Sequence, residues 1–315
     1  MARIAVVLTN LGGPDSPAAI RPFLINLFSD PAIIGLPQPL RWILARLIAW
    51  RRLKAARDMY DHLGGKSPLL ANTEAQARAL ESKLGDGFRC FIAMRYWRPM
   101  TEETVAAVKT WEPDEIVCLP LYPQYSTTTT ASSVAVWKSE AERQGLSQKT
   151  RVVRSYPVVR GFIDAIAGLI EAVFDEAAKS HRMRLLLSAH GLPLKIVNAG
   201  DPYPKQIEET ARAVVEALGR PNLDWTVCYQ SRVGPLAWLG PATDDEIRRA
   251  GRDGVAIVVA PISFVSEHSE TLVELDRDYR RLAEACGVPA YYRVPTVGTD
   301  PRFIAALAEL VEAAA

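Results

Sequence analysis

Short apolar runs recur along the chain, separated by longer stretches in which apolar residues return at helical spacing. The runs predict strands at residues 4–8, 88–94, 116–119, 152–153, 184–188, 224–229, 256–260 and 290–293. Strands alternating with helices over a whole chain form a mostly parallel sheet covered by helices, so the expected class is α/β. Thr73-x-x-Gln76 and Thr243-x-x-Glu246 read as capping boxes that open helices.

The pattern also repeats. IAVVLTNLGGP (4–14) and MRLLLSAHGLP (183–193) both run from an apolar strand into a turn with Gly and Pro at matched places, and Leu11 then corresponds to His190. FIAMRYWRP (91–99) resembles TVCYQSRVGP (226–235), and EIVCLPLYPQYS (115–126) resembles AIVVAPISFVSE (256–267). Three matches in one order point to a duplication, two similar α/β halves meeting near residues 150–180; the rival reading is that all α/β units look alike. Duplicated halves would set Leu11 and His190 on opposite walls of whatever binds at the strand ends.

One stretch departs from the alternation. IIGLPQPLRWILARLIAW (33–50) is apolar nearly all round, is interrupted by Pro37, Pro39, Arg41 and Arg46, and is followed by Arg51, Arg52 and Lys54. The prolines exclude a long helix at its start. From Pro39 onward a helix is expected. Its apolar side either lines a pocket or rests on a membrane surface, with Trp42 and Trp50 at the boundary, or it packs into the core with an exposed basic end.

Composition narrows the function classes. The 315 residues are 49% hydrophobic and 23% charged, an ordinary globular balance with room for a substantial core. Lys+Arg at 37 against Asp+Glu at 36 leaves a net charge of +1, so no global field draws nucleic acid. The start lacks a basic leader with a cleavage site, and no window of about 18 apolar residues offers a membrane span. Cys90, Cys118, Cys228 and Cys286 stand far apart without a C-x-x-C pair, which argues against a zinc site or a disulfide framework and fits a cytoplasmic location.

The candidate chemistry centres on LLLSAHGLP (185–193), which puts His190 at the carboxyl end of a buried strand, where open α/β sheets bind ligands. An imidazole there can accept a proton or ligate a metal, or it can be a satisfied structural residue. After a second buried strand comes SFVSEHSETLVE (263–274). His268 and Glu270 are two residues apart, about 200° around a regular helix, so they converge only if the helix start is irregular or widened, as in a π-bulge. Glu267, Glu270, Glu274 and Asp278 form an acidic ridge that is either a solvated face or a cation pathway; Leu272, Leu275, Tyr279 and Leu282 form the apolar side. Imidazoles with a carboxylate suit a borderline ion such as Fe(II), held briefly. Arg95-Tyr96 and YPQYSTTTT (122–130) offer a polar ligand rim, or in the Thr run a helix cap. Tyr60 and GGKSP (64–68) offer an ordinary turn or an anion nest. No P-loop or G-x-G-x-x-G fingerprint is present.

From about residue 4 to 312 these features resemble the ferrochelatase family, through NLGGP (10–14), GGKSP, MRYWRP (94–99), PLYPQYS (120–126), SAHGLP (188–193), GDPYP (200–204), QSRVGPLAWLGP (230–241) and SEHSETLVELD (266–276). The resemblance implies two Rossmann-like halves, 1–160 and 161–315, with the active-site cleft between them, a porphyrin lip at 33–54 and a C-terminal helix packing back on the first half. It implies a lyase that inserts Fe(II) into protoporphyrin IX to form protohaem, releasing two protons. Coproporphyrin or another tetrapyrrole as substrate, or a tetrapyrrole- or metal-binding protein without turnover, are the alternatives. Position by position it implies His190 and Glu270 as catalytic and metal-binding, with His268 as a further metal ligand and Glu267 in support. Arg95, Tyr96 and Tyr122 match polar residues of the cleft. Arg52, Tyr60 and Ser67 match positions near the porphyrin propionates, and Trp238 matches an aromatic of the pocket wall. Some relatives hold an iron–sulfur cluster with a cysteine inside the PQYS segment and a cysteine-bearing tail; here Thr127 stands at that position and the chain ends at Ala315, so no cluster is expected. Leu11 resembles the protoporphyrin-using type rather than the coproporphyrin-using type with Tyr. The expected protein is a cytoplasmic monomer that binds no nucleic acid, with residues 33–54 as the point of any peripheral membrane contact.

Overall fold

The computed structural model describes residues 2–177 and 182–315. Its elements are β1 (Ile4–Asn10), α1 (Ile20–Phe28), α2 (Gln38–Asp61), α3 (Leu69–Leu84), β2 (Phe88–Met94), α4 (Thr101–Trp111), β3 (Glu115–Pro120), α5 (Thr130–Arg143), β4 (Thr150–Val152), α6 (Arg160–Ala177) and β5 (Met183–His190). Then follow α7 (Leu194–Asn198), α8 (Tyr203–Leu218), β6 (Trp225–Gln230), α9 (Thr243–Asp253), β7 (Ala256–Pro261), a π-helix (Glu270–Asp278), α10 (Tyr279–Ala285), β8 (Tyr291–Arg293) and α11 (Pro301–Ala314). All eight expected strands are present.

The strands form two parallel four-stranded sheets of the same order, β2-β1-β3-β4 and β6-β5-β7-β8. In register, Ile4 pairs with Phe88 on one side and with Glu115 on the other. Met183 likewise pairs with Ala256, and Leu185 with Trp225. The repeated motifs therefore sit at equivalent places. Each sheet reverses its winding beside its first strand, between β1 and β3 and between β5 and β7, and the carboxyl ends there open a ligand crevice. The chain divides into two compact units, residues up to Ser155 together with Leu307–Ala315, and Tyr156–Ala306.

Helices on both faces explain why the central strands are aliphatic throughout. Ala5, Val6, Val7 and Leu8 of β1 and Leu185, Leu186 and Leu187 of β5 are all at 0% exposure. In the first unit Ala5, Val7 and Ile116 pack on Val105 and Val108 of α4 and Trp137 of α5. In the second, Leu186, Ile257 and Val259 pack on Ile247 of α9, Leu275 of the π-helix and Ala283 of α10. Each such aliphatic contributes about 1.5–3 kcal/mol on burial.

Local readings are corrected in two places. Thr73 does not open a helix: it lies inside α3, its hydroxyl donating back to the Leu69 carbonyl at 2.8 Å and accepting Asn10 Nδ2 at 3.1 Å. Thr243 is the first residue of α9 rather than its cap, and its hydroxyl faces Ser188 Oγ at 3.1 Å. Both were polar residues recruited by the strand ends, a tertiary demand that a four-residue pattern does not register. The helix expected from Pro39 begins at Gln38, with Pro39 in its first turn where a missing N–H costs nothing.

Candidate active site

In the second unit, β5 delivers His190 to the switch point. The backbone there is fixed from three sides: His190 N–H donates to Ser263 Oγ at 3.0 Å, its carbonyl accepts Tyr203 OH at 3.0 Å, and Gly191 N–H donates to the Gln230 carbonyl at 2.8 Å. A Cβ on Gly191 would stand 2.8 Å from that same carbonyl, so only glycine lets the exit turn lie against β6. The ring follows from the turn. His190 Nδ1 lies 2.6 Å from the Gly191 carbonyl, which can only accept, so Nδ1 carries the hydrogen and Nε2 is the nitrogen left to accept one. The side chain is 41% exposed.

His268 repeats the arrangement. Its Nδ1 donates to the Ser266 carbonyl at 3.0 Å, again leaving Nε2 free to act. The two Nε2 atoms converge on one oxygen, Glu270 Oε2, at 3.6 Å from His190 and 3.8 Å from His268. The Phe264 ring neighbours both imidazoles, 6.3 Å from His190 edge-on and 4.6 Å from His268. The geometric obstacle to convergence disappears because His268 precedes the helix, and the helix that Glu270 opens is a π-helix of nine residues.

Asp278, at the far end of the acidic ridge, is exposed, but the first three carboxylates do not form a solvated face. Glu274 turns inward: Ser231 donates to it through N–H (2.8 Å) and Oγ (2.5 Å), and Tyr279 OH donates to it at 3.1 Å. Ser231 Oγ also reaches Glu270 Oε2 at 3.3 Å. Ser231 donates both groups from a left-handed backbone, φ 61°, a conformation costly for a residue with a side chain. Glu267 is held by Arg293 Nη1 (2.8 Å) and Thr296 N–H (3.0 Å).

These contacts set the charges. Burial pushes the Glu270 carboxyl up, but the charges of His190 and His268 and the Ser231 hydroxyl outweigh it and hold it at about 2. Burial pulls the His268 imidazole down, yet Glu270 outweighs it and the net direction is up. Glu274 is raised, by burial and then by the neighbouring Glu270 charge. The result is one persistent carboxylate between two imidazoles, able to attract a cation and to take up protons. Among the described residues no group of three or more His, Cys, Asp or Glu side chains stands arranged to hold a metal ion. Beside Glu274 an open cavity of about 570 Å³ is lined by Tyr229, Arg232, Trp238, Asp244 and Tyr279.

In the first unit the expected residues gather at the carboxyl end of β1. Leu11 accepts Tyr96 N–H at 2.9 Å and packs with the buried Tyr60 and Tyr96. Ser67 presses on the NLGGP turn, where a Cβ on Gly13 would meet its Oγ at 2.5 Å. Arg95 Nη2 and Tyr96 OH both donate to Asp30 Oδ2 at 2.7 Å, so the Tyr96 hydroxyl, in a residue only 1% exposed, is already engaged. Tyr122 is raised by burial, with Ser133 and Arg95 acting against it. Arg52, on α2, places its guanidinium 5.8 Å from the Phe28 ring centroid. Trp238 belongs to the second unit and lines the cavity above.

Four residues of these networks escape sequence reasoning as site members. Tyr203 and Ser263 had a signal, since GDPYP and SFVSEHSE contain them. Ser231 sits in QSRVGP, but its backbone conformation leaves no trace in composition. Asp30 is a single acid in FSDP.

A family model described as Ferrochelatase matches residues 3–315. A curated ferrochelatase of Phenylobacterium zucineum is 56% identical over 98% of this chain and 90% of its own length. One of Caulobacter vibrioides (strain NA1000 / CB15N) is 54% identical over 98% and 89%, and one of Wolbachia sp. subsp. Drosophila simulans 51% identical over 97% and 98%. Among solved structures, SirB from Bacillus subtilis with Fe3+ superposes with a TM-score of 0.61 at 12% identity, over 100% of this chain and 96% of that one. CbiX, the terminal enzyme for biosynthesis of siroheme in denitrifying bacteria, gives 0.52 at 17%, over 99% of both. These two likenesses concern the fold.

Proposed function

We propose, from the premise that the chain belongs to the ferrochelatase family, that His190, Glu270 and His268 carry the metallation chemistry and that the porphyrin is protoporphyrin IX. Ferrochelatase is a lyase, and the activity of this chain is insertion of Fe(II) into a porphyrin to make haem. Two pyrrole N–H protons leave as the metal forms bonds to the four ring nitrogens, so the site needs a base and a route for protons. His190 Nε2 is that base in this reading. Glu270 attracts the ferrous substrate, stabilises the imidazolium that forms, and passes the proton on with His268. The observation that carries the assignment is the convergence of both Nε2 atoms on Glu270 Oε2.

Leu11, beside Tyr60 and Tyr96 in an apolar cluster, supports protoporphyrin over a substrate with more carboxylates. Arg52, Ser67, Arg95, Tyr122 and Trp238 complete the porphyrin contacts in this reading, with Tyr96 acting from behind through Asp30. No iron–sulfur cluster belongs to it: Thr127 stands where the cluster-bearing relatives place a cysteine. Stoichiometric acid-labile sulfide in anaerobically purified protein would count against that. No helix among the described residues is long and apolar enough to cross a membrane. We read the protein as a cytoplasmic monomer that touches membrane through α2. The deciding assay is anaerobic incubation with Fe(II) and either protoporphyrin IX or coproporphyrin III, following metalloporphyrin absorbance over many turnovers. Faster turnover of coproporphyrin would reverse the substrate assignment, and a single stoichiometric event would reduce the site to a binding site.

A further inference from the structure

Asp30 is a heavily engaged carboxylate of the first unit. It follows α1 and is 3% exposed. Oδ2 accepts Arg95 Nη2 at 2.7 Å, Tyr96 OH at 2.7 Å and Ser132 Oγ at 2.5 Å. Ser132 Oγ in turn accepts Arg95 Nε at 2.8 Å, which closes a ring through α5. On its other side Oδ1 accepts Ala32 N–H at 2.8 Å, and the Asp30 carbonyl accepts the N–H groups of Ile33 and Ile34 at 3.1 and 2.9 Å. One residue thus ties together the carboxyl end of β2, the start of α5 and residues 31–34, the lead into α2.

A buried carboxylate is tolerated only when its charge and lone pairs are satisfied, and here every partner is a donor. The reverse dependence matters more. The Arg95 side chain is 16% exposed and has few other places to put its charge; the guanidinium lies over the Tyr96 ring at 4.9 Å, held there by Asp30 and Ser132. Breaking one partner of a buried pair leaves the other uncompensated, whereas replacing both is often neutral for stability.

We propose that Asp30 is the positioning residue for porphyrin recognition: it orients Arg95 and, through residues 31–34, seats the start of α2, without itself touching the substrate. This rests on the reading of Arg95 as a porphyrin contact. It predicts a coupling that the fold alone does not require, because a merely structural acid would affect folding and leave the two substrates' KM values alike.

The test compares Asp30→Asn, Arg95→Met and the double variant, by KM for protoporphyrin IX and for Fe(II), kcat, and protoporphyrin IX binding followed by fluorescence without iron. Asp30→Asn is expected to raise the porphyrin KM about tenfold, a loss of about 1.4 kcal/mol, with the iron KM within about twofold of wild type. Added to Arg95→Met, it is expected to cost no further porphyrin affinity, and the double variant to regain most of the thermal stability either single variant loses. Should Asp30→Asn alone not fold, the Arg95→Met background still decides. A porphyrin KM unchanged by Asp30→Asn, or a further loss of affinity in that background, overturns the role of Asp30. Normal porphyrin binding by Arg95→Met overturns the reading of Arg95 instead, so the two failures are distinguishable.

Discussion

His190 Nε2 and Glu270 Oε2 stand 3.6 Å apart, beyond a direct hydrogen bond and within one small adjustment of it. In the proposed mechanism the gap suits a pair that admits a proton or a cation between steps. His190→Ala is expected to lower insertion of Fe(II) or Zn(II) by about 10²–10⁴-fold while porphyrin binding stays near wild type. Near-normal turnover in an anaerobic assay would remove His190 from the mechanism.

Glu270 predicts a pH dependence of stability. Its carboxyl is held at about 2, below the ordinary 4.5, so its contribution is present above the unfolded-state value and is lost as pH falls from 4.5 toward 2. His268, shifted up from 6.5, has the opposite sign: its contribution is full below that value and is lost as pH rises through the folded one. Thermal unfolding of wild type and Glu270→Gln should therefore differ most near neutral to mildly acidic pH and converge toward the acid end. A difference that grows as pH falls from 4.5 toward 2 would contradict the assignment.

Gly251 sets two effects against each other. Ala in a helix interior gains about 1 kcal/mol over Gly. At this position in α9, however, a Cβ would lie 2.2 Å from the Cys286 backbone carbonyl, and overpacking costs about 1–3 kcal/mol. Backbone cannot rotate away, so Gly251→Ala is expected to lower the denaturant midpoint, with an unchanged or raised midpoint as the contrary result.

On α2, Leu40, Trp42, Ile43 and Trp50 are 56%, 52%, 58% and 67% exposed, beside Arg41, Arg46 and Arg51. An apolar face edged with arginines binds an anionic lipid surface more tightly than a neutral one. Co-sedimentation with phosphatidylglycerol vesicles should exceed that with phosphatidylcholine alone and fall on Trp42→Ser/Trp50→Ser. Equal recovery with both lipids, or no effect of the double substitution, would leave this face without a membrane role.

Strand positions were legible because burial on both faces demands aliphatic runs, and 88–94 is reproduced residue for residue. The repeat was legible because turns leaving equivalent strands need the same Gly and Pro. His268 and Glu270 were readable as partners only on condition of an irregular helix, which the π-helix meets. Asp30 and Ser231 were not readable. Asp30 acts through donors 65 to 102 residues away in sequence, and Ser231 through a backbone angle. Glu274 shows the limit of periodicity, which sorts residues by face but does not say which face is solvent.

Both imidazoles are pinned through Nδ1 to backbone carbonyls, and those carbonyls accept a hydrogen bond from a neutral ring and a charged one alike. Neither ring has to flip or change tautomer when Nε2 gains or loses a proton. In the proposed mechanism the centre passes through its cycle as a fixed frame in which charge moves and atoms do not, so little reorganisation energy is added to the barrier of metal insertion.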